Sequence, residues 1–368
     1  MKPHLAQRIQ TLQKHMCEQQ LDAVVFTDRE NLIYYTGAVE IECMAAVIPA
    51  SGDPALCCLW LDAPYVKEQS GAALIKPYRF PAANIGQSIV EALKELAPEK
   101  PAVGFHKYFV EFSVFDALRQ AIPGLEWRSA TDITYRTRAV KSPEELALMR
   151  QACVCLEAGM RAAVDFARPG VTESAVLAEA DYAMRKAGSE GASFRQQVLS
   201  WPKQLLAHPF AGNTVLENNQ PVVIHLGASY QGYVAKMCRT VFLGNVPAAP
   251  RAVYSLLHEA LTAGMEALRP GTTSAAVYNA IYAVVEKAGY GAAFLDHAGY
   301  GVGIRQSEFY PIIGRGLAHE IQENMVVDLL LPTIYQPHVG GPRLTDIIQV
   351  TRDGGKFMTN FTHSLILK

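Results

Sequence analysis

A repeat at a fixed offset constrains this chain most. Arg168-Pro169-Gly170-Val171-Thr172 leads into a helical stretch that ends at Lys186-Ala187-Gly188, and Arg269-Pro270-Gly271-Thr272-Thr273 leads into another that ends at Lys287-Ala288-Gly289. Every matching position is offset by 101 residues, as from Arg168 to Arg269. In each copy a helix breaks at Pro-Gly, a threonine stands where it caps the next helix, and a glycine closes that helix. Upstream, Ala158-Gly159-Met160 and Ala263-Gly264-Met265 echo one another. Two matched helix pairs, each followed by strand-rich sequence, predict a domain of two similar halves with a site where the halves meet.

A different domain precedes the repeat. Leu5, Ile9, Leu12 and Met16 recur at three- and four-residue spacing and form one apolar helix face. Residues 23–27, 43–49 and 55–61 read as short buried strands, and 88–96 as an amphipathic helix, so this part alternates α and β. Lys141-Ser142-Pro143-Glu144-Glu145 combines an N-cap serine, a proline at the first helical position and a glutamate that closes a capping box. A new domain starts there, giving a division into 1–137 and 138–368. Beyond the first helix pair, 221–224 and 233–243 read as hairpin strands joined through 227–232. Gly299-Tyr300-Gly301-Val302-Gly303, the apolar run 325–331 and Gly340-Gly341-Pro342-Arg343 supply further strands and glycine-rich loops.

Composition excludes several partners. The 368 residues carry 33 basic and 35 acidic side chains, a net charge of -2. That balance offers no field for a nucleic-acid backbone and no polybasic membrane anchor. Cys57, Cys58, Cys153 and Cys155, four of seven cysteines, lie in apolar segments and read as reduced, buried thiols. Residues 1–20 lack the apolar core of a signal peptide, and no window approaches the ~18 apolar residues of a membrane span, so the expectation is a cytoplasmic protein.

These motifs resemble the creatinase/methionine aminopeptidase family. Residues 23–37, with Asp28-Arg29-Glu30-Asn31-Leu32, look like its creatinase-type N-terminal domain, and Val140 to Glu145 like its domain junction. The Arg-Pro-Gly-x-Thr repeats, Gly227-Ala228-x-Tyr230-x-Gly232-Tyr233, Arg239-Thr240 and Gly341-x-Arg343 resemble its catalytic domain. The resemblance implies an α/β (α+β) chain, a creatinase-like domain followed by a duplicated "pita-bread" domain, and a homodimer. Peptidases of the family hold two metal ions with two Asp, one His and two Glu, which activate a bridging water. Read by motif, those five positions here are His225, Lys236, Tyr300, Leu330 or Leu331, and Thr345. No metal and no cofactor is therefore expected, since an ammonium at Lys236 repels a divalent ion.

Other family features shape the expected chemistry. Ala207-His208-Pro209 resembles the segment carrying a catalytic histidine, which makes His208 the candidate general acid/base. The second family histidine reads as Ser307, ahead of Glu308. Strand alternation sends Lys236 and Cys238 to one side, with Lys236 as an electrostatic anchor for a substrate carboxylate or an oxyanion. Cys238 reads as a wall residue or a thiol activated by Lys236. His225, Tyr300, Arg305, Glu308 and Thr345 complete the expected substrate contacts, and Arg343 with Asp346 reads as a structural pair. The function expected is metal-independent hydrolysis or lysis of a C–N bond in a small, polar, anionic metabolite, as in creatinase. The alternatives are an inactive homologue that acts as a binding module and an Xaa-Pro aminopeptidase or dipeptidase.

Overall fold

The uninterrupted apolar sequence Ala-Val-Val-Phe forms β1 (Ala23–Phe26), buried at every residue, and the first unit of the chain is built around it. β1 pairs antiparallel with β2 (Ala45–Pro49) and parallel with β5 (Ala102–Phe105). With β3 (Ala55–Leu59), β4 (Leu74–Tyr78) and β6 (Glu126–Ser129) they make a six-stranded mixed sheet in the order β4-β3-β2-β1-β5-β6. Around it lie α1 (Pro3–Glu18), α2 (Arg29–Thr36), α3 (Ala63–Ser70), α4 (Ile85–Leu96), α5 (Phe112–Ala121) and α6 (Thr131–Ala139). α1 buries Leu5, Ile9, Leu12 and Met16, the stripe read from the sequence. α4 begins three residues before 88, because Asn84 and Gln87 form a reciprocal capping box.

This computed structural model describes residues 1–106, 110–201, 203–206, 208–330, 334–337 and 339–368. The chain divides into two units, Met1–Arg138 and Ala139–Lys368.

The second unit opens with α7 (Pro143–Phe166), capped by the Ser142/Glu145 box. The repeat is visible in its geometry. Thr172 caps α8 (Glu173–Lys186) by accepting from the Ala175 amide, and Thr273 caps α10 (Ser274–Lys287) by accepting from the Ala276 amide. α9 (Ala248–Ala267) is the second-half counterpart of α7. The first helix pair is followed by β7 (Gly191–Ala192), β8 (Gln197–Leu199), β9 (Gln220–Tyr230) and β10 (Tyr233–Leu243). β9 does not stop near 224 as the glycines suggest. It pairs with β10 without a break from Gln220↔Leu243 to Tyr230↔Tyr233. Only Gln231 and Gly232 turn the chain, both at positive φ (46° and 79°), the backbone a two-residue hairpin turn needs.

The second helix pair is followed by β11 (His297–Gly301), β12 (Glu308–Gly314), β13 (Val326–Leu329), β14 (Asp346–Thr351) and β15 (Gly354–Phe357), in the order β12-β11-β13-β14-β15. β16 (Ile366–Leu367) returns to pair parallel with β10. A backbone bridge between Cys238 and Thr345 joins the two sheets. The two helix-pair-and-sheet halves form the two-part domain expected from the repeat. Cys57, Cys58, Cys153 and Cys155 are free and buried, while Cys17 and Cys43 are free and exposed. Among the described residues no helix is long and apolar enough to cross a membrane.

Candidate functional site

Register places three candidate residues and Gln197 side by side. Gln197 of β8 faces His225 of β9, His225 faces Cys238 of β10, and Cys238 bridges to Thr345. Cross-strand partners project from the same face, so these residues form one row across four chain segments. Phe194 packs on the His225 ring at 4.6 Å between centroids. Burial, with Lys236 and Arg343 nearby, holds His225 well below the usual imidazole range, so the ring is neutral. Its Nε2 is buried with no hydrogen-bond partner.

Cys238 packs with Leu199 and Val223, and its thiol is pushed up to about 12 by burial, only partly offset by Arg343 and Arg239. Of the two readings of Cys238, this packing and raised pKa favour the wall residue over the activated thiol. Lys236 lies one pleat further along, yet desolvation of the sulfur outweighs the nearby cations. The Thr345 hydroxyl is also engaged, donating to the Leu330 carbonyl at 2.7 Å. Leu330 is buried in the left-handed region (φ 59°), a conformation that costs an L-residue roughly 1–2 kcal/mol. It offers the site a backbone oxygen already bonded to Thr345. Leu331, the other reading of this position, lies outside the described residues.

Lys236 is 2% exposed and ion-pairs with Asp328 of β13, which is fully buried. The Lys236 ammonium also meets the Ser307 hydroxyl at 3.4 Å. The second Asp328 oxygen accepts the Tyr300 backbone N–H. Gly299 makes this approach feasible, because a Cβ there would lie 1.9 Å from the Asp328 carbonyl oxygen. Lys236, expected as an open anchor, thus has its charge neutralised from within. Asp328 was not among the sequence candidates, since it sits in an apolar run with no motif around it. The only signal available was a lone carboxylate in a buried strand, a position charged residues seldom occupy unpaired.

The remaining basic residues divide differently from the expected Arg343–Asp346 pair. Asp346 pairs with the fully buried Arg239 and accepts from Thr359 and His363. Burial would raise its pKa, but Arg239 and His363 hold it below the ordinary carboxylate value. Arg343 points instead into the row, donating to Gln197 Oε1 at 3.0 Å and to the carbonyls of Gln204 and Leu206. Those carbonyls belong to the segment that precedes His208, which is exposed. Ala207 of its motif lies outside the described residues.

Tyr300 is half-buried, with its ring edge-on to Phe309 at 5.9 Å, and it is the amide that meets Asp328. Burial and the Asp328 charge raise its phenol pKa. Glu308 is buried at the start of β12 and accepts the Arg305 amide, while the Arg305 guanidinium sits 5.8 Å from the Phe309 ring centroid. These three form a flank of the site on the second half. The structure brings together His225, Lys236, Cys238 and Thr345, adds Gln197, Asp328 and Arg343, and leaves His208 exposed.

Comparison with known proteins follows this geometry. Residues 147–352 match the model of metallopeptidase family M24. The chain belongs to family M24. Residues 8–140 match the creatinase/prolidase N-terminal domain, which accounts for the first unit. Among M24 relatives, the Xaa-Pro dipeptidase of Pyrococcus furiosus is 26% identical over 363 residues, covering 98% of this chain and 100% of that protein. The solved Xaa-Pro dipeptidase from Bacillus anthracis has the same fold, with a TM-score of 0.90 at 24% identity over 99% of this chain and 100% of that one. The prolidase from Pyrococcus furiosus matches with a TM-score of 0.85 at 25% identity, covering 95% and 99%. These names fit the Xaa-Pro peptidase alternative more closely than a creatinase-like hydrolase.

The metal pair that M24 membership implies does not fit the residues at the five positions. Divalent ions in such sites need several oxygen donors with negative charge. Here Lys236 brings a cation, Leu330 an aliphatic chain, and Thr345 a hydroxyl whose proton is given to a carbonyl. His225 is the one ordinary ligand type, and the Asp328 carboxylate is paired with Lys236. Among the described residues no group of three or more His, Cys, Asp or Glu is placed to hold a metal ion.

Proposed function

We propose that this M24 chain binds small, dipeptide-like carboxylates of the kind its relatives are named for, and does so without metal-assisted cleavage. The buried Lys236–Asp328 pair carries this reading, because it puts an internal, neutralised ion pair where a metal centre would need open anionic ligands. The names of the relatives supply the ligand class. Neutral His225 and protonated Cys238 are suited to enclosing a ligand and poorly suited to activating water at neutral pH. A cytoplasmic homodimer with a small-molecule ligand is the setting that accompanies this proposal.

One other reading has an observation in its favour. Xaa-Pro dipeptidase activity is supported by the names of relatives that align over nearly the whole chain. The experiment that separates the two is a panel of Xaa-Pro dipeptides, with binding measured by calorimetry and free proline by product assay, after chelation and after addition of manganese, cobalt or zinc. The expected result is binding that chelator leaves unchanged and no metal-stimulated release of proline. Metal-dependent release would establish the dipeptidase. Chelator-resistant release that disappears in His208→Ala would instead establish a metal-independent hydrolase with His208 as proton shuttle.

A further inference from the structure

Among the described residues the buried cations of the site are not all paired with anions. Lys236 is matched by Asp328 and Arg239 by Asp346. Arg343 is 4% exposed, and among the described residues every hydrogen bond its guanidinium makes is to a neutral group: Gln197 Oε1, Gln204 O and Leu206 O. Its Nε is buried with no partner, and the Tyr335 ring lies 5.8 Å away. Among the described residues no carboxylate pairs with it. A buried guanidinium without an anion is strongly unfavourable, so such groups are normally found paired. Next to Gln197 in the same row, His225 is 8% exposed and its Nε2 also lacks a partner. Two polar side chains, each more than nine-tenths buried, thus present unmet nitrogen atoms in one part of the row.

We infer that Arg343 and His225 form an anchoring point for a small monovalent carboxylate, which supplies the counter-charge that the protein omits. The inference deepens the proposed binding function and rests on it for the ligand class. A carboxylate suits the guanidinium, whose planar fork of N–H groups matches two oxygens, better than a spherical anion does. It also exchanges the roles read from the sequence. Lys236 is already neutralised, and Arg343, read there as a structural residue, is the cation with capacity left.

The test uses an isosteric change that builds the missing anion into the chain. Gln197→Glu places a carboxylate where Gln197 Oε1 already meets Arg343 at 3.0 Å. Acetate, formate, an Xaa-Pro dipeptide and chloride are titrated at constant ionic strength, with melting temperature as the readout. In the wild type, carboxylates at about a hundred times Kd should raise the melting temperature by roughly 5–10 °C, with chloride well below that. Gln197→Glu should melt higher than the wild type without ligand and lose the carboxylate response. A wild type indifferent to carboxylates, a chloride effect equal to that of acetate, or an undiminished response in Gln197→Glu would each overturn the inference. The wild-type titration stands even if the variant folds poorly. Failure of the binding function is separately recognisable. Dipeptide binding untouched by Gln197→Glu keeps that function and removes this anchor, whereas response to simple carboxylates without dipeptide binding does the reverse.

Discussion

Lys236→Ala should lower the stability of the second unit by about 3–5 kcal/mol, because it leaves the Asp328 carboxylate buried without its partner. Replacing both partners with apolar residues of similar size, Lys236→Met with Asp328→Leu, should restore stability to within about 1 kcal/mol of the wild type or exceed it. The contrast between single and double variants matters more than either value. A buried ion pair loses much of its Coulombic gain to desolvation, so it contributes little net stability while tolerating no half-measure. Denaturant unfolding followed by Trp201 fluorescence, with Trp60 and Trp127 changed to phenylalanine, reads the second unit alone, since these are the three tryptophans of the chain. A single Lys236→Ala variant as stable as the wild type would mean that the two charges are not held together.

The second large effect is expected at Arg239. Its fully buried guanidinium bonds to Asp346 and to the carbonyls of Cys238, Thr345, Phe361 and Thr362. It therefore joins β10 to the start of β14 and to the C-terminal segment that ends in β16. Arg239→Met should cost about 3–5 kcal/mol, since it leaves a buried carboxylate and several carbonyls without their donor. The segment after Thr359 should become the first site of limited proteolysis. The Asp346 carboxyl is held below its ordinary pKa, so its contribution is fully present above the unfolded-state value near 4. That contribution is lost as pH falls through the lower folded value. Asp346→Asn should accordingly flatten the acid limb of the stability curve below about pH 4, with stability measured by denaturant midpoint across pH. An unchanged acid limb would exclude Asp346 as its source.

Much of the architecture was legible because it rests on local chemistry. Capping threonines at 172 and 273, the capping box at Ser142 and Glu145, and the apolar stripe of α1 each declare a helix within a few residues. The repeat then fixed the two-half plan. The hairpin was read too short for a physical reason. Gly227 and Ala228 look like turn residues, but β9 continues through them because β10 supplies a partner at every position. The Lys236–Asp328 pair was not legible. Asp328 and Lys236 are far apart in sequence, and pairing between them is set by how the two halves meet. Arg343 was misassigned for the same reason. Sequence places it three residues before Asp346, whereas the fold turns it toward Gln197 and gives Asp346 to Arg239.

On the proposed reading, Lys236, neutralised by Asp328, stands where an M24 metal centre would need open anionic ligands. Elemental analysis of the full-length protein, purified from culture supplemented with manganese, cobalt and zinc and dialysed without chelator, tests it most directly. The expected result is well below one equivalent of any divalent metal per chain and a melting temperature that EDTA leaves unchanged. One or two tightly held equivalents, with a melting temperature that falls on chelation, would contradict it.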